Sequence, residues 1–443
     1  MRKRRAVLLA VAVLLGTGTG VAVLYDLTSY RPHTERHSGD LALVGATVLR
    51  GDTLAPITDG VVLVRDGVIT EVGAATELTV PERAEVLDLS GYTLVPGLID
   101  LHVHLGSSEL RDGDEPGPFT LPKAAWDAMR YAPAHRRASL EHGVTTVRSL
   151  GDELSWVAQI RAQVGEGELE GPRIVMSGPL FTTRNGHPVT TAGTEPDSGV
   201  VLLPSTAMEA RSMVRDLAEG PHRVDFIKVV HDRGHSERPL TPLPFDVLDA
   251  IVDEAHAHGL KVTAHWSTLQ DLDDLLSVGI DGLEHVESRE LLTGWPQHVL
   301  ARLVDADVPL TATLIVSEAA FAGQNAPGAV AALQERVREF HAAGGRTVVG
   351  SDAARPGVRF GAGVHRELAL LVASGLSPLD ALRAATVEAA RVLATDKFGT
   401  IAAGKAADLV VVDGDPTTDI GVMRNVVMTF RDGRPVFDMR GAN

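Results

Sequence analysis

Five short apolar runs along this chain are rich in β-forming residues and carry a side chain able to ligate a metal, and the stretches between them have helical spacing. The runs are Leu-Val-Pro-Gly-Leu-Ile-Asp-Leu-His102-Val-His104, Asp-Phe-Ile-Lys228-Val-Val, Lys-Val-Thr-Ala-His265-Trp, Gly-Leu-Glu-His285-Val and Thr-Val-Val-Gly-Ser-Asp352. This alternation predicts repeated βα units around a parallel barrel. In such a barrel the carboxyl ends of the strands open on one face, so the six residues are expected to converge there.

The residue types fit one chemistry. His102 and His104 are two apart on a strand, so they project to the same side and both can reach one ion. Taken alone, the pair could equally be two satisfied histidines at a strand end. Lys228 is flanked by Phe226, Ile227, Val229 and Val230 and is expected to be buried, a setting lysine seldom occupies without a partner. Burial favours its neutral amine, which can capture carbon dioxide as a carbamate with two oxygens to bridge two cations. The alternative is an ammonium that snorkels to the barrel mouth. Asp352 follows Gly350-Ser351 at a strand end and reads as a ligand, the alternative being a helix cap before Ala353. A further His-X-His, His256-Ala-His258, falls in the last turn of a helix, where residues two apart diverge, and reads as structural. His135, His142, His222, His298 and His341 lie on helices or connections and read the same way.

Strands are predicted near 98–103, 144–149, 173–177, 225–230, 261–265, 281–286, 309–314 and 347–351. Helical spacing runs from Ala124 to Glu141, Phe245 to His258 and Ala329 to Ala343, with Gly143, Gly259 and Gly344 as stops. The ends of the chain read differently. Short alternating runs from Leu41 to about Pro96 are punctuated by Asp59-Gly60 and Asp66-Gly67, which are hairpin signals, and the same pattern returns before Asp432-Gly433. The expected fold is therefore α/β, a (β/α)8 TIM-like barrel over 97–399 with a small discontinuous β-sandwich from 41–96 and 400–443.

Length and charge bound the rest. The 443 residues, 44% of them hydrophobic, suffice for a barrel of roughly 250 to 300 residues and a smaller domain. A formal net charge of −17 argues against nucleic acid, which wants a basic face. With no cysteine in the chain, any metal must be held by nitrogen and oxygen. Met1-Arg-Lys-Arg-Arg precedes an uncharged, mostly apolar run from Ala6 to Tyr25. That is a signal peptide or a membrane anchor in residues 1–25, which places the catalytic domain outside the cytoplasmic membrane, tethered through 6–25 or released. Residues 26–40 read as a polar linker, with His33 and His37 solvated.

On these residues, and on Gly-Val-Thr-Thr-Val-Arg (143–148), Gly-Pro-Arg-Ile (171–174) and Gly-Lys-Ala-Ala-Asp-Leu-Val-Val-Val-Asp (404–413), the chain resembles the amidohydrolase superfamily. The resemblance is to the branch with a binuclear metal centre bridged by a carboxylated lysine, and within it to the imidazolonepropionase-like and Xaa-Pro or Xaa-Arg dipeptidase group. It implies two divalent cations, zinc by ligand type: one held by His102, His104, carboxylated Lys228 and Asp352, the other by His265, His285 and the same carbamate. It also implies a hydroxide between the cations as nucleophile, with Asp352 as catalytic base and then acid. The substrate would be a small molecule with a scissile amide, a dipeptide or an N-acyl amino acid.

Lactonase or phosphotriesterase chemistry uses the same six ligands and stays open. The mononuclear deaminases of the superfamily carry a glutamate three residues after the fifth-strand histidine, where this chain has Thr268. A non-catalytic scaffold would have lost ligands that are all present here. His187 in Arg184-Asn-Gly-His187 resembles the Gly-Gly-His segment of the dipeptidase-like group and is expected to face the substrate. His231 and Arg233 are candidates for a substrate carboxylate, a solvated loop being the alternative, and His365 is expected to support the site from its helix.

Overall fold

The eight predicted barrel strands form where β-branched and aliphatic residues run together. The computed structural model describes residues 39–106, 133–286, 289–291, 293–322 and 327–440. In order the strands are Leu98–Val103, Val144–Ser149, Arg173–Met176, Phe226–Val230, Lys261–His265, Gly282–Glu284, Leu310–Thr311 and Thr347–Val348. Every residue of the first two and of the fourth is buried, as expected for a parallel sheet covered on both faces. The fourth and fifth strands pair with Lys228 opposite Thr263 and Val230 opposite His265. The fifth and sixth pair with His265 opposite Glu284. The ring closes where Leu101 N–H donates to Val349 O at 3.0 Å and Asp225 N–H to Met176 O at 2.9 Å.

Three strands stop short of the predicted ends, at the residues that matter. His285, Thr313 and Asp352 take left-handed backbone, with φ of 71°, 47° and 56°, which turns the chain off the ladder. For non-glycine residues that conformation costs on the order of 1–3 kcal/mol and persists where the surroundings impose it. The seventh strand also yields early to the helix Leu314–Ala322. The side chain of Glu367, on the helix Ala362–Ala373, accepts the N–H groups of Leu314 and Ile315 at 2.9 and 2.8 Å.

The predicted helices appear as Phe245–Ala257 and Pro327–Ala342, and 133–141 is helical. Gly143, Gly259 and Gly344 follow them at φ of 75°, 70° and 93°, the stop geometry that glycine adopts without a Cβ clash. The remainder of the Ala124–Glu141 prediction, 124–132, lies outside the described residues.

Strands from both chain ends share one eight-stranded sheet. Its central path runs Arg434–Asp438, Val426–Arg431, Leu409–Val412, Thr93–Pro96, Asp40–Arg50, Ala55–Arg65 and Val68–Ala74, and Glu85–Asp88 pairs beside Asp40–Arg50. Asp66-Gly67 and Asp432-Gly433 are tight hairpin turns with both residues at positive φ. Asp59-Gly60 is not a hairpin as predicted. Ala46 pairs with Gly60 and Val48 with Ile57, so Asp59, at φ 49°, sits in a bulge inside the strand. An aspartate before glycine accepts the left-handed conformation equally well in a bulge or a turn. Among the described residues no helix is long and apolar enough to cross a membrane, and residues 1–38, with the predicted export or anchor segment, His33 and His37, lie outside them.

Candidate metal centre

The four histidines from three barrel strands meet edge to edge. The ring of His102 lies 5.3 Å from that of His104 and 4.8 Å from that of His285, and His285 lies 5.0 Å from His265. Asp352 reaches across from the eighth strand. Its Oδ1 is 3.1 Å from His104 Nε2 and 3.6 Å from His102 Nε2, without a well-aligned hydrogen bond. One ligand atom each from His102, His285 and Asp352 lie within 4.8 Å of one another. Lys228 is buried, and its Nζ makes no hydrogen bond among the described residues. All of these side chains except Asp352 line one cavity of about 290 Å³.

For three of the four histidines, one ring nitrogen has a protein partner, which fixes which one faces the centre. His102 Nδ1 meets Glu284 Oε2 at 2.8 Å, His285 Nδ1 meets Thr313 Oγ1 at 2.7 Å and His265 Nε2 meets Asp232 Oδ2 at 3.1 Å. Glu284 precedes a predicted ligand by one residue, so the pleat turns it toward the barrel interior. There it also accepts from Arg148 Nη2 at 2.6 Å and Thr263 Oγ1 at 2.5 Å. Replacement Glu284→Gln leaves the Arg148 guanidinium, 1% exposed, without its counter-charge. The expected loss is about 3–5 kcal/mol of unfolding free energy in urea. A loss under about 1 kcal/mol would show that this pair does not hold the barrel interior.

The protonation states suit cation binding. Burial holds His102 down to about 4 and holds His285 well below the usual imidazole range, the charge of neighbouring groups adding to it for His285, so both rings are neutral donors near neutrality. Burial also lowers the Lys228 amine, to about 8, although Glu284 and Asp352 favour its charged form. For Asp352 burial works toward protonation, and His102, Arg355 and His104 outweigh it to keep the carboxylate ionised. Neutral imidazoles, an ionised carboxylate and a buried amine with no partner fit a metal group, and nitrogen and oxygen donors of this kind suit zinc and its neighbours.

The cavity separates the remaining candidates. His187 lies in its wall, stacked 4.7 Å from His265 and tied through Nδ1 to Thr191 Oγ1. His231 and Arg233 are not among its lining residues. Arg233 pairs instead with Asp271 at 2.5 Å and Asp274 at 2.6 Å, and His231 Nε2 lies 3.0 Å from Asp274 Oδ2. The Arg233 charge and the His231 ring are spent in holding the loop after the fourth strand, which presents Asp232 to His265. His365 bonds the carbonyl of His142 at 2.8 Å and touches no ligand; on its helix it is Glu367 that reaches toward the seventh strand.

Thr268 caps the helix Leu269–Ser277, its hydroxyl accepting from Asp271 N–H, so the position that holds an acid in the deaminases is structural here. His256 and His258 bond Asp281 and Glu254 and do not converge. Sequence reasoning gave no role to Asp232, Glu284, Arg148 or Arg355. A carboxylate adjacent to a predicted ligand, as at Glu284, is the one signal that could have been used.

A model described as the amidohydrolase family matches residues 93–436. An uncharacterized protein of Mycobacterium tuberculosis is 30% identical over 198 residues, which is 43% of this chain and 51% of that protein. This chain thus spans about half the length of the first such relatives. An imidazolonepropionase of Sphingopyxis alaskensis is 27% identical over 83% of this chain and 90% of its own. A solved prolidase in complex with N-methylphosphonate-L-proline is similar at 25% identity and a TM-score of 0.72, over 90% of this chain and 100% of that one.

Proposed function

Since the chain belongs to the amidohydrolase family, a group of hydrolases acting on small molecules and usually dependent on metal, we propose that it cleaves the amide bond of a dipeptide or an N-acyl amino acid at a two-cation centre. The observation that carries this reading is the Lys228 amine, which has no hydrogen-bond partner among the described residues and is buried with four imidazoles around one cavity, beside Asp352. A single cation needs no such lysine. A carbamate on Lys228 offers two oxygens and so accounts for both the burial and the missing partner.

His102, His104 and Asp352 would hold one ion and His265 and His285 the other, with the Lys228 carbamate shared. When bound, two such ions supply an activated water near neutral pH and polarise the scissile carbonyl. The rest is done by the chain. Ionised Asp352 takes the proton of the attacking water and delivers it to the leaving nitrogen, so one carboxyl group serves as base and then acid. Glu284 and Asp232 hold His102 and His265 in the tautomers that face the centre. The likeness to a prolidase and to an imidazolonepropionase supports carbon–nitrogen cleavage over lactone or phosphotriester chemistry.

The test is a panel of dipeptides, N-acyl amino acids, lactones and a phosphotriester, offered to zinc-loaded protein beginning near residue 31. Amino-acid release is expected, lost on treatment with a chelator and restored by zinc. Turnover confined to lactones or the phosphotriester, or no turnover of any substrate, would overturn the proposal.

A further inference from the structure

The cavity has a charge unlike that of the chain. Against a formal −17 for the whole sequence, its described lining holds Lys228, Arg355 and five imidazoles and no carboxylate. With Lys228 committed to the centre, Arg355 is, among the described lining residues, the cationic side chain left to meet a substrate. Two other arginines near the centre are spent: Arg148 on Glu284, and Arg233 on Asp271 and Asp274. The Arg355 guanidinium makes no hydrogen bond among the described residues. Its one approach to a carboxylate is Nε to Asp352 Oδ2, at 3.6 Å, and its side chain is 32% exposed.

Its backbone is nevertheless fixed. Arg355 N–H donates to Asp352 O at 3.1 Å, and Arg355 O accepts from Val358 N–H at 2.9 Å. A planar fork of donors with no hydrogen-bond partner among the described residues, held at a cavity wall by a tight turn, matches a carboxylate bidentately and at low ordering cost. Position then narrows the choice. Arg355 lies beside the oxygen of the residue that protonates the leaving nitrogen, so an anion it holds must sit on the leaving side, close to that nitrogen. Leu180, Pro188, Val200 and Val230 supply the apolar part of the wall.

We infer that Arg355 binds the free α-carboxylate of the amino acid that the reaction releases, so that the substrate is an N-acylated amino acid or a peptide residue with an unblocked carboxyl end. The inference rests on the amide-hydrolase reading above. It also differs from the sequence expectation, in which His231 and Arg233 were the candidates for this role, with a solvated loop as the alternative.

The test pairs each N-acetyl-L-amino acid and dipeptide of a panel with its C-terminal carboxamide. Wild-type protein is expected to favour the acid by about 30-fold in kcat/KM, the usual worth of a charge-assisted hydrogen-bond pair. In Arg355→Met the ratio should fall to near one, mainly through KM, and Arg355→Lys should restore part of it. Equal use of acids and amides by the wild type would overturn the inference, as would an equal loss on both in Arg355→Met, since the arginine would then act through Asp352. Calorimetric binding of the same acids and amides separates the two readings. Preferential binding of acids that is lost in Arg355→Met, without turnover of any amide bond, retains the carboxylate site and sinks the hydrolase reading. No preference in binding sinks the inference itself.

Discussion

Replacing Lys228 with methionine should abolish turnover and strip the protein of bound metal while leaving a fold at least as stable as that of the metal-free wild type. Methionine fills nearly the same volume with apolar atoms and removes a buried amine that has no hydrogen-bond partner among the described residues. An unpaired buried polar group costs free energy, so the variant should not unfold more readily than the metal-free wild type. Activity should drop at least about 10³-fold, because the cations of such a site supply several kcal/mol of transition-state stabilisation. The control is chemical. Metal reconstitution of the wild type should depend on added bicarbonate, and Lys228→Ala, which leaves room for a small carboxylate, should regain part of its metal and activity in formate or acetate. Retention of both metals by Lys228→Met would show that the lysine does not bridge them.

The same residue shows why much of the centre could be read from sequence. Buried parallel strands are continuous apolar runs, so a lysine, histidine or aspartate within one stands out, and the barrel brings strand ends together whatever the loops do. What sequence could not give was contact between strands. Glu284 and Arg148 are 136 residues apart, and nothing local says that the carboxylate beside a ligand serves His102 rather than His285, its own neighbour. Arg233 and Arg355 each follow a predicted ligand at short range, and both carry the charge that a substrate carboxylate needs. Only the fold distinguishes them, by placing Asp271 and Asp274 against the first and leaving the second with the cavity. The left-handed backbone of His285 and Asp352 was equally hidden, because histidine and aspartate enter that region more often than most residues but still too seldom for the residue type to predict it.

Asp352→Asn isolates proton transfer from metal binding. Asparagine keeps the size of the side chain and one oxygen donor, so the centre should still fill, with metal content by elemental analysis close to that of the wild type. It cannot accept a proton from the attacking water or return one to the leaving nitrogen. General acid–base catalysis by a positioned group is worth about 10²–10⁴-fold, and kcat should fall within that range while KM changes little. Asp352 is held ionised by His102, Arg355 and His104 against its burial, so its base form is present at neutral pH and the wild-type rate should decline on acidification as that carboxylate is protonated. The variant should lose that acid limb. This signature differs from that of Arg355→Met, whose loss should lie in KM and vanish for carboxamides. If Asp352→Asn retained near-wild-type kcat with its metals bound, the proton would have to travel by another group, and His187, stacked on His265 in the same wall, would be the first to replace.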